Sequence, residues 1–326
     1  MRFILAALRL LSALLILATA LPALLALGGF AVPLFDLFNH LQLFLFFGTL
    51  LAAVAALLLS MRPGWKIVAL LGFAASAWIF VPEWLSSLAP RQVVSDVQIV
   101  RVMTHNLYGQ RYDLERLRAV IREEDPDILA LQEFSANQSG LAQMLRDRYP
   151  YSVRCRGGSR ANLGLYSKFP FETEMGPADC PANARGSQRI AHILVSFKLS
   201  SGTAFSLLTT HMDWPYPIER QREQFDAAIE TVRNVKGPLL VVGDFNSTPW
   251  SYALQRFAAE TGLKRETRNL MTYPELVPVR RRVLQLEPFL PLDHVFQRGM
   301  IVSELHRSAA TGSDHLPVVF TFSVAP

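Results

Sequence analysis

The first 85 residues constrain the fold more than any other part of the chain, because they consist of three long apolar runs. The runs cover residues 3–27, 34–59 and 67–85, and about 20 apolar residues are enough to cross the roughly 30 Å hydrocarbon core of a bilayer. Three transmembrane helices are therefore predicted. A cleaved signal peptide is the alternative for the first run, but signal segments are shorter and are not followed by further spans.

The composition changes near Pro90. The 326 residues are 51% hydrophobic and 18% charged, which is too apolar for a wholly soluble protein and too charged for a wholly membrane-embedded one. Few charges precede Pro90: Arg2, Arg9, Arg62, Lys66, Asp36 and Glu83. We therefore expect a transmembrane region over residues 1–89 and a catalytic domain over residues 90–326. The net charge of +5 is spread thinly and lacks the footprint of a strong duplex binder.

The positions of the basic residues predict the orientation of the three spans. Arg2 and Arg9 lie at the start of the first span, and Arg62 and Lys66 lie in the second loop, whereas the first loop, residues 28–33, has no basic residue. Basic loops stay in the cytoplasm. An odd number of spans then puts residues 90–326 on the outer side, which is the periplasm for a bacterial inner membrane.

Cys155 and Cys180 are the only cysteines, and both fall in the part that is predicted to be exported. An oxidising compartment permits a disulfide between them. Two buried free thiols are the alternative, because the sequence does not show whether their Cα atoms approach each other. A zinc site is not expected, since neither cysteine has a Cys/His cluster beside it.

After Val97 the chain alternates short apolar runs with amphipathic stretches, which is the pattern of an α/β fold. Strands are predicted at 97–103, 128–131, 163–167, 190–199, 204–210, 239–242, 292–296 and 318–322. Asp113 is a candidate N-cap for one helix, and a second helix is predicted over about 218–235.

Eight polar residues lie at or beside the ends of these predicted strands, where α/β folds build their sites. Any one of them can be a turn former, but eight together indicate a functional site: Asn106, Glu133, His211, Asp244, Asn246, Asp293, Asp314 and His315.

These side chains suit the hydrolysis of a phosphoester. Glu133 and Asp314, with the amide oxygen of Asn106, are the hard oxygen ligands that Mg²⁺ or Mn²⁺ prefers. Asp244 can orient and deprotonate water, and Asn246 can hold phosphate or the carboxylate of Asp244. His211 and His315 can donate to phosphoryl oxygens, and an acid such as Asp293 can fix the tautomer of a histidine and favour imidazolium.

The motifs in this order resemble the endonuclease/exonuclease/phosphatase superfamily, the DNase-I-like fold, in a membrane-anchored bacterial branch. They are His-Asn-Leu (105–107), Leu-Gln-Glu (131–133), Gly-Leu-Tyr-Ser-Lys (164–168), Thr-His-Met-Asp (210–213), Gly-Asp-Phe-Asn (243–246), Leu-Asp-His-Val-Phe (292–296) and Ser-Asp-His-Leu-Pro (313–317). The resemblance covers residues 97–322 and implies a four-layered α/β sandwich, in which two mixed sheets are flanked by helices.

The resemblance also implies a role for each site residue. Metal binding falls to Asn106, Glu133 and Asp314, and the positioning of water and phosphate to Asp244 and Asn246. His315 pairs with Asp293, and His211 matches a second histidine of the DNase and sphingomyelinase branches. No carboxylate matches the partner that the DNase branch gives that histidine, and His294, beside Asp293, is expected to pack within the sheet.

The sequence therefore predicts a membrane-anchored, Mg²⁺- or Mn²⁺-dependent phosphoesterase that cleaves phosphodiester or phosphomonoester bonds. Nuclease-type activity is favoured by Arg154, Arg156 and Arg160 near the predicted site. A lipid-directed phosphodiesterase or phosphatase is the alternative that the anchor favours, and a catalytically silent membrane interaction protein is the third. No protein partner follows from the sequence.

Two further segments bear on the substrate. Trp214 and Tyr216, after His211, can stack a base, contact a lipid chain or cover a sheet edge. The run Arg280–Arg282, near Phe289 and Leu290, can meet phosphates or anionic head groups, or be a solvated charge run.

Overall fold

The computed structural model describes residues 2–90, 99–108, 113–135, 139–156, 162–173, 175–176, 179–181, 190–280 and 282–324. These residues form two compact units. One comprises residues 1–89 together with 248–256, and the other comprises residues 90–247 and 257–326.

The first unit is built on long apolar helices. Its helices are α1 (Arg2–Ala26), α2 (Pro33–Asp36), α3 (Gln42–Leu58) and α4 (Pro63–Leu88), and a 3₁₀ turn over Leu37–Leu41 joins α2 to α3. Three segments, Arg2–Ala26, Pro33–Leu58 and Pro63–Leu88, are long and apolar enough to cross a membrane. They overlap the three predicted spans. The third begins earlier than predicted because Pro63, with its fixed φ, suits the first turn of a helix.

Small residues let these helices approach one another closely. Ala20, Ala52 and Ala56 are buried, while many of the large aliphatic side chains are exposed. A Cβ added at Gly72 of α4 would lie 2.4 Å from the Cβ of Ala20 in α1. Close backbone approach at small residues is how apolar helices pack when no hydrophobic effect drives them together.

A chain of hydrogen bonds connects the polar side chains of the first unit. The hydroxyl of Ser76 donates to Gln42 (3.0 Å), Gln42 to Asn39 (3.1 Å) and Asn39 to Asp36 (2.8 Å). Asp36 then accepts hydrogen bonds from the backbone N–H groups of Tyr252 (2.7 Å) and Ala253 (3.1 Å). These N–H groups belong to the first turn of a helix, which leaves them without partners inside that helix, so Asp36 satisfies both.

The second unit contains two six-stranded mixed sheets. The strands of the first sheet, in spatial order, are β13 (Met300–Arg307), β14 (Val318–Val324), β1 (Val100–Asn106), β2 (Ile128–Gln132), β4 (Asn162–Ser167) and β3 (Tyr151–Arg156). Those of the second are β5 (Phe171–Glu172), β6 (His192–Lys198), β7 (Ala204–His211), β8 (Leu239–Asp244), β12 (Asp293–Arg298) and β9 (Lys264–Arg265). Strands β10 (Leu276–Val279) and β11 (Arg282–Gln285) form a separate hairpin.

Each sheet has one parallel pair among antiparallel neighbours, β1 with β2 and β7 with β8. The apolar residues that face between the sheets form one core cluster, which includes Val102, Ala130, Leu207 and Val242. Helices flank the sheets: α5 (Leu114–Glu124), α6 (Ser139–Arg146), α7 (Ile218–Asn234) and α8 (Tyr252–Thr261). The predicted α/β sandwich of two mixed sheets with flanking helices is confirmed.

Cys155 of β3 and Cys180 form a disulfide, with Cα atoms 5.4 Å apart. Of the two alternatives that the sequence left open, the structure has the paired one. The bond ties an edge strand of the first sheet to the segment that precedes β6, and Cys155 itself is fully buried in the core.

Candidate active site

The polar residues at the strand ends meet at one end of the two sheets. In the second sheet, His211, Asp244 and Asp293 lie side by side in one row, because β7, β8 and β12 pair in that register. In the first sheet, Asn106 ends β1 and Glu133 follows β2. The loop before β14 supplies Asp314 and His315, so the strands themselves position most of the site.

A hydrogen bond joins the two sheets at the site. Asn106 Nδ2 donates to Asp244 Oδ2 at 2.9 Å, and both side chains are buried. Behind them, Gln132 Nε2 donates to the hydroxyls of Thr104 and Thr209, each at 3.1 Å. At this end of the molecule, hydrogen bonds between polar side chains therefore join the two sheets.

Asp244 accepts several hydrogen bonds. The N–H of Asn246 donates to Asp244 Oδ1 at 2.8 Å, and the side-chain amide of Asn246 lies 3.3 Å from Oδ2 and donates to the carbonyl of Met212 at 2.9 Å. Of the two roles that the sequence left open for Asn246, these contacts correspond to holding the carboxylate of Asp244.

Three residues of the site depend on unusual backbone conformations. Glu133 (φ +52°) and Asn246 (φ +46°) lie in the left-handed region, which non-glycine residues adopt rarely. Gly243 has φ +141°, and a Cβ there would lie 2.1 Å from the carbonyl oxygen of Thr210. Only glycine fits at this close approach of β8 to β7.

His315 is held between two carboxylates. Its Nδ1 lies 2.8 Å from Asp293 Oδ2, and its Nε2 lies 3.7 Å from Asp244 Oδ2. Burial opposes a charged imidazole, but the negative charges of Asp293 and Asp244 outweigh it and raise the pKa of His315 to about 10. The imidazolium is therefore the form present at neutral pH.

The pKa values of the two aspartates shift in opposite directions. Burial tends to raise the pKa of Asp244, but His315 and a hydrogen bond from His211 overcome this and lower it below the usual range. Burial dominates at Asp293 and raises its pKa, with His315 opposing. Asp244 therefore stays ionised and can orient water, although a carboxylate with so low a pKa is a weak base.

His211 also faces Asp244. Its Nε2 lies 3.3 Å from Asp244 Oδ2, 3.9 Å from Glu133 Oε1 and 3.2 Å from the side-chain nitrogen of Asn246. His211 therefore lies between Glu133, which follows β2 of the first sheet, and Asp244, which ends β8 of the second.

The donors that the sequence assigned to a metal fit a divalent cation. Burial raises the pKa of Asp314 to about 6, and the negative charges of Glu133 and Asp244 add to this effect while His315 opposes it. Carboxylates that repel one another in this way are the hard anionic ligands a divalent cation needs.

Asp244, Asp293 and His315 also have ligand atoms within 4.8 Å of one another. A protonated imidazole does not bind metal, however. These three residues form a relay in which His315 Nδ1 lies 2.8 Å from Asp293 and His315 Nε2 lies 3.7 Å from Asp244, and Asn106, Glu133 and Asp314 stay the predicted ligands.

All eight predicted residues are thus brought together, and His294 is not among them. Its Nε2 lies 2.8 Å from the carbonyl of Ser247 and its Nδ1 lies 3.0 Å from the hydroxyl of Thr267. Burial, with Arg265, lowers its pKa to about 3. It is a neutral histidine inside the sheet.

Sequence reasoning missed Tyr273 and gave Ser313 no role beyond its motif. The ring of Tyr273 lies 4.8 Å from that of His315, and the ring of Trp214 lies 5.6 Å from Tyr273. Ser313 Oγ donates to the carbonyl of Asn106 at 2.6 Å, which fixes the loop that carries Asp314. Ser313 could have been found through its motif, whereas Tyr273 lies in a segment with no sequence signal.

The three arginines that favoured nucleic acid do not form a phosphate site among the described residues. Arg154 donates to the carbonyl of Phe134 (2.6 Å) and lies 3.7 Å from the centroid of the Phe134 ring. Arg156 is exposed, and Arg160 lies outside the described residues.

Comparison with known proteins confirms the resemblance. The profile of the Endonuclease/Exonuclease/phosphatase family matches residues 103–315. A UPF0294 protein of Vibrio cholerae is 27% identical over 139 residues, which is 40% of this chain and 44% of that protein. The matched region thus spans less than half the length of that relative.

Solved structures share the fold. An endonuclease/exonuclease/phosphatase from Beutenbergia cavernae has a TM-score of 0.53 at 22% identity and covers 70% of this chain and 72% of its own. D. rerio TDP2, complexed with single strand DNA product, has a TM-score of 0.51 at 14% identity and covers 70% of this chain and all of its own. At these identities the similarity shows the fold alone.

Proposed function

Because the chain belongs to the endonuclease/exonuclease/phosphatase family, we propose that it is a membrane-anchored phosphoesterase that hydrolyses phosphodiester bonds with a divalent cation, Mg²⁺ or Mn²⁺. Residues 1–89 form the membrane region and residues 90–326 the catalytic domain. The observation that carries the proposal is the relay Asp293–His315–Asp244 beside the carboxylates of Glu133 and Asp314.

The residues of the chain divide the work of an in-line displacement at phosphorus. Asp244, fixed by Asn106 and Asn246, accepts a hydrogen bond from the attacking water and orients it. His315, kept charged by Asp293, donates from Nε2 to an oxygen that gains negative charge in the transition state. His211 is a second donor on the same side of Asp244.

The cation's ligands are Asn106, Glu133 and Asp314. When bound, a divalent cation would neutralise part of the negative charge that the phosphoryl oxygens carry into the transition state. Without that charge, Glu133, Asp314 and Asp244 would repel an anionic substrate, so activity is expected to require the metal.

Nucleic acid is the first substrate class to test. The lipid-directed alternative is favoured by one specific feature, the exposed cationic and apolar hairpin β10–β11 beside the site. A catalytically silent interaction protein has no need of the complete set of acids, amides and imidazoles.

The test uses full-length protein in lipid nanodiscs, with Mg²⁺ or Mn²⁺ and with EDTA. Substrates are bis-p-nitrophenyl phosphate, single-stranded and plasmid DNA, RNA, and nanodisc phospholipid and sphingomyelin. We expect metal-dependent turnover that Asp244→Asn and His315→Ala abolish, while His306→Ala, a half-exposed histidine outside the site, leaves it unchanged. Equal rates for wild type and both site variants on every substrate would leave only the non-catalytic interpretation.

We also propose that residues 90–326 lie on the outer side of a bacterial inner membrane. The distribution of basic residues along the three candidate spans supports this orientation, and so does the pairing of Cys155 with Cys180. Labelling of cysteines placed on either side of the membrane tests it.

A further inference from the structure

The hairpin formed by β10 and β11 is separate from both six-stranded sheets. Its strands pair Val277 with Leu284, Pro278 with Val283, and Val279 with Arg282. An isolated two-stranded hairpin is marginally stable in water. Strand pairing alone therefore gives the exposed part of this hairpin little stability.

The hairpin concentrates the exposed aliphatic residues of the second unit. Among the described residues of that unit, the large aliphatic side chains that are exposed are Ile99, Val279, Val283, Leu284 and Leu286, so four of the five lie in or next to the hairpin. An apolar patch of this kind on a soluble unit marks an interaction site.

These side chains point to both faces of the hairpin. Since alternate residues of a strand point to opposite faces, Val279 and Leu284 share one face and Val283 lies on the other. A protein surface that packs on one face would leave the other exposed. A lipid interface surrounds an inserted hairpin and covers both faces.

The charge of the hairpin is of one sign. The sequence from Leu276 to Leu286 contains three arginines and no acid. Arg280 and Arg282 are exposed, and neither forms an ion pair with an acid of the described chain. Arg281 lies outside the described residues. Arginines beside aliphatic side chains match a surface of anionic head groups over an acyl layer.

The base of the hairpin is fastened to the rim of the candidate active site. The N–H of Glu275 donates to the carbonyl of Asp314 at 2.7 Å, and the N–H of Leu286 donates to the carbonyl of Glu275 at 2.8 Å. Two residues before Glu275, the ring of Tyr273 contacts His315. A surface that binds the hairpin therefore lies next to the proposed site.

We propose that the β10–β11 hairpin docks into the head-group region of an anionic lipid surface. The occupant is lipid because both faces carry apolar residues, because the charge is cationic, and because the three candidate spans put a bilayer on the same polypeptide. If the proposed phosphoesterase activity also holds, docking presents the site with phosphodiesters at a lipid surface. Docking itself does not depend on turnover.

The test places an environment-sensitive fluorophore on Val283→Cys in the full-length protein. The native cysteines are paired, so labelling is specific. The protein is reconstituted in nanodiscs of phosphatidylcholine, alone or mixed with phosphatidylglycerol, with and without nitroxide-labelled lipid. The control is the same label on Ser201→Cys, in the exposed turn between β6 and β7.

We expect blue-shifted emission and nitroxide quenching at position 283 in the anionic nanodiscs only, and neither at position 201. Substituting neutral residues for Arg280 and Arg282 together is expected to lower the ratio of docked to undocked hairpin by roughly fivefold for each arginine. Asp244→Asn is expected to leave docking intact, which separates a failure of docking from a failure of catalysis.

Three results would overturn the proposal. Equal emission in every nanodisc without quenching means that the hairpin stays in water. Equal quenching in neutral and anionic nanodiscs means that its charge plays no part. A blue shift that depends on protein concentration and not on lipid means that a second copy of the chain covers the hairpin.

Discussion

Asp293 contacts the candidate site through His315. Its carboxylate is buried and lies 2.8 Å from His315 Nδ1. In Asp293→Asn the amide has almost the same shape but no charge, so the imidazole loses the partner that orients it and keeps it protonated. We expect kcat for phosphodiester hydrolysis to fall by about 10² to 10⁴, with little change in KM.

The matched control for this prediction is Asp147→Asn, an exposed aspartate at the end of α6. It changes the net charge by the same amount without touching the relay. A rise in KM with kcat unchanged would contradict the assigned positioning role of Asp293.

Glu133 is expected to act on the metal. It is more exposed than Asp244, the other carboxylate near His211, with 27% of its side chain accessible. An ion that enters from solvent can therefore reach it. Glu133→Gln removes one negative charge and keeps the shape. We expect the Mg²⁺ concentration for half-maximal activity to rise at least about tenfold, measured by titrating metal into EDTA-treated protein.

Glu172→Gln, on the exposed strand β5, is the control for Glu133→Gln. If both variants need the same metal concentration as wild type while kcat falls only in Glu133→Gln, then Glu133 contributes to the chemistry and not to metal affinity.

At the scale of elements, Glu124 joins three parts of the first sheet's outer layer. It ends α5, lies 2.6 Å from the guanidinium of Arg101 in β1 and lies 3.2 Å from His306 in β13. Burial tends to raise the pKa of Glu124, but hydrogen bonds from Ser308, Arg101 and His306 lower it below its ordinary value of 4.5. A carboxylate with a depressed pKa stabilises the fold above its unfolded pKa, and the effect disappears as the pH falls.

We therefore expect Glu124→Gln to lower the free energy of unfolding by about 1 kcal/mol near pH 7. The difference from wild type should close as the pH drops below 4.5. Thermal unfolding of both proteins in detergent across this pH range tests the prediction. A difference that stays constant with pH would mean that packing, and not charge, accounts for the loss.

The same elements show what the sequence could and could not predict. Strands with buried, near-continuous apolar runs, such as β2 and β8, were found because such runs have few other interpretations. Strand β3 has the sequence Tyr-Ser-Val-Arg-Cys-Arg and lies at a sheet edge, half exposed, so no run of apolar residues marks it. The hairpin β10–β11 carries a proline and three arginines, and its pairing depends on tertiary context.

The site was more predictable than the fold around it. Strand ends carry their polar residues in sequence motifs, so Asn106, Asp244 and His315 could be found from local patterns. Tyr273 could not, because its contact with His315 joins segments 42 residues apart in the chain and leaves no local pattern. Contacts across long separations are fixed by sheet pairing, which sequence spacing does not reveal.

At the scale of the whole molecule, the arrangement of the chain in the membrane is open to direct test. One candidate span, Pro63–Leu88, separates the second loop, at residues 59–62, from everything after residue 88. If that segment crosses the membrane once, residues 64 and 201 lie on opposite sides, and the proposed orientation puts the basic second loop inside. A cysteine fits at both positions, since a Cβ at Gly64 meets nothing within 4 Å and Ser201 lies in an exposed turn.

We expect a membrane-impermeant maleimide to label Ser201→Cys in intact spheroplasts and Gly64→Cys only after the membrane is broken. The native cysteines should resist labelling until they are reduced, because Cys155 and Cys180 form a disulfide. Labelling of Gly64→Cys from outside, with Ser201→Cys protected and the native thiols free, would reverse the orientation. The catalytic unit would then face the cytoplasm, and its substrates would have to be sought among phosphodiesters there.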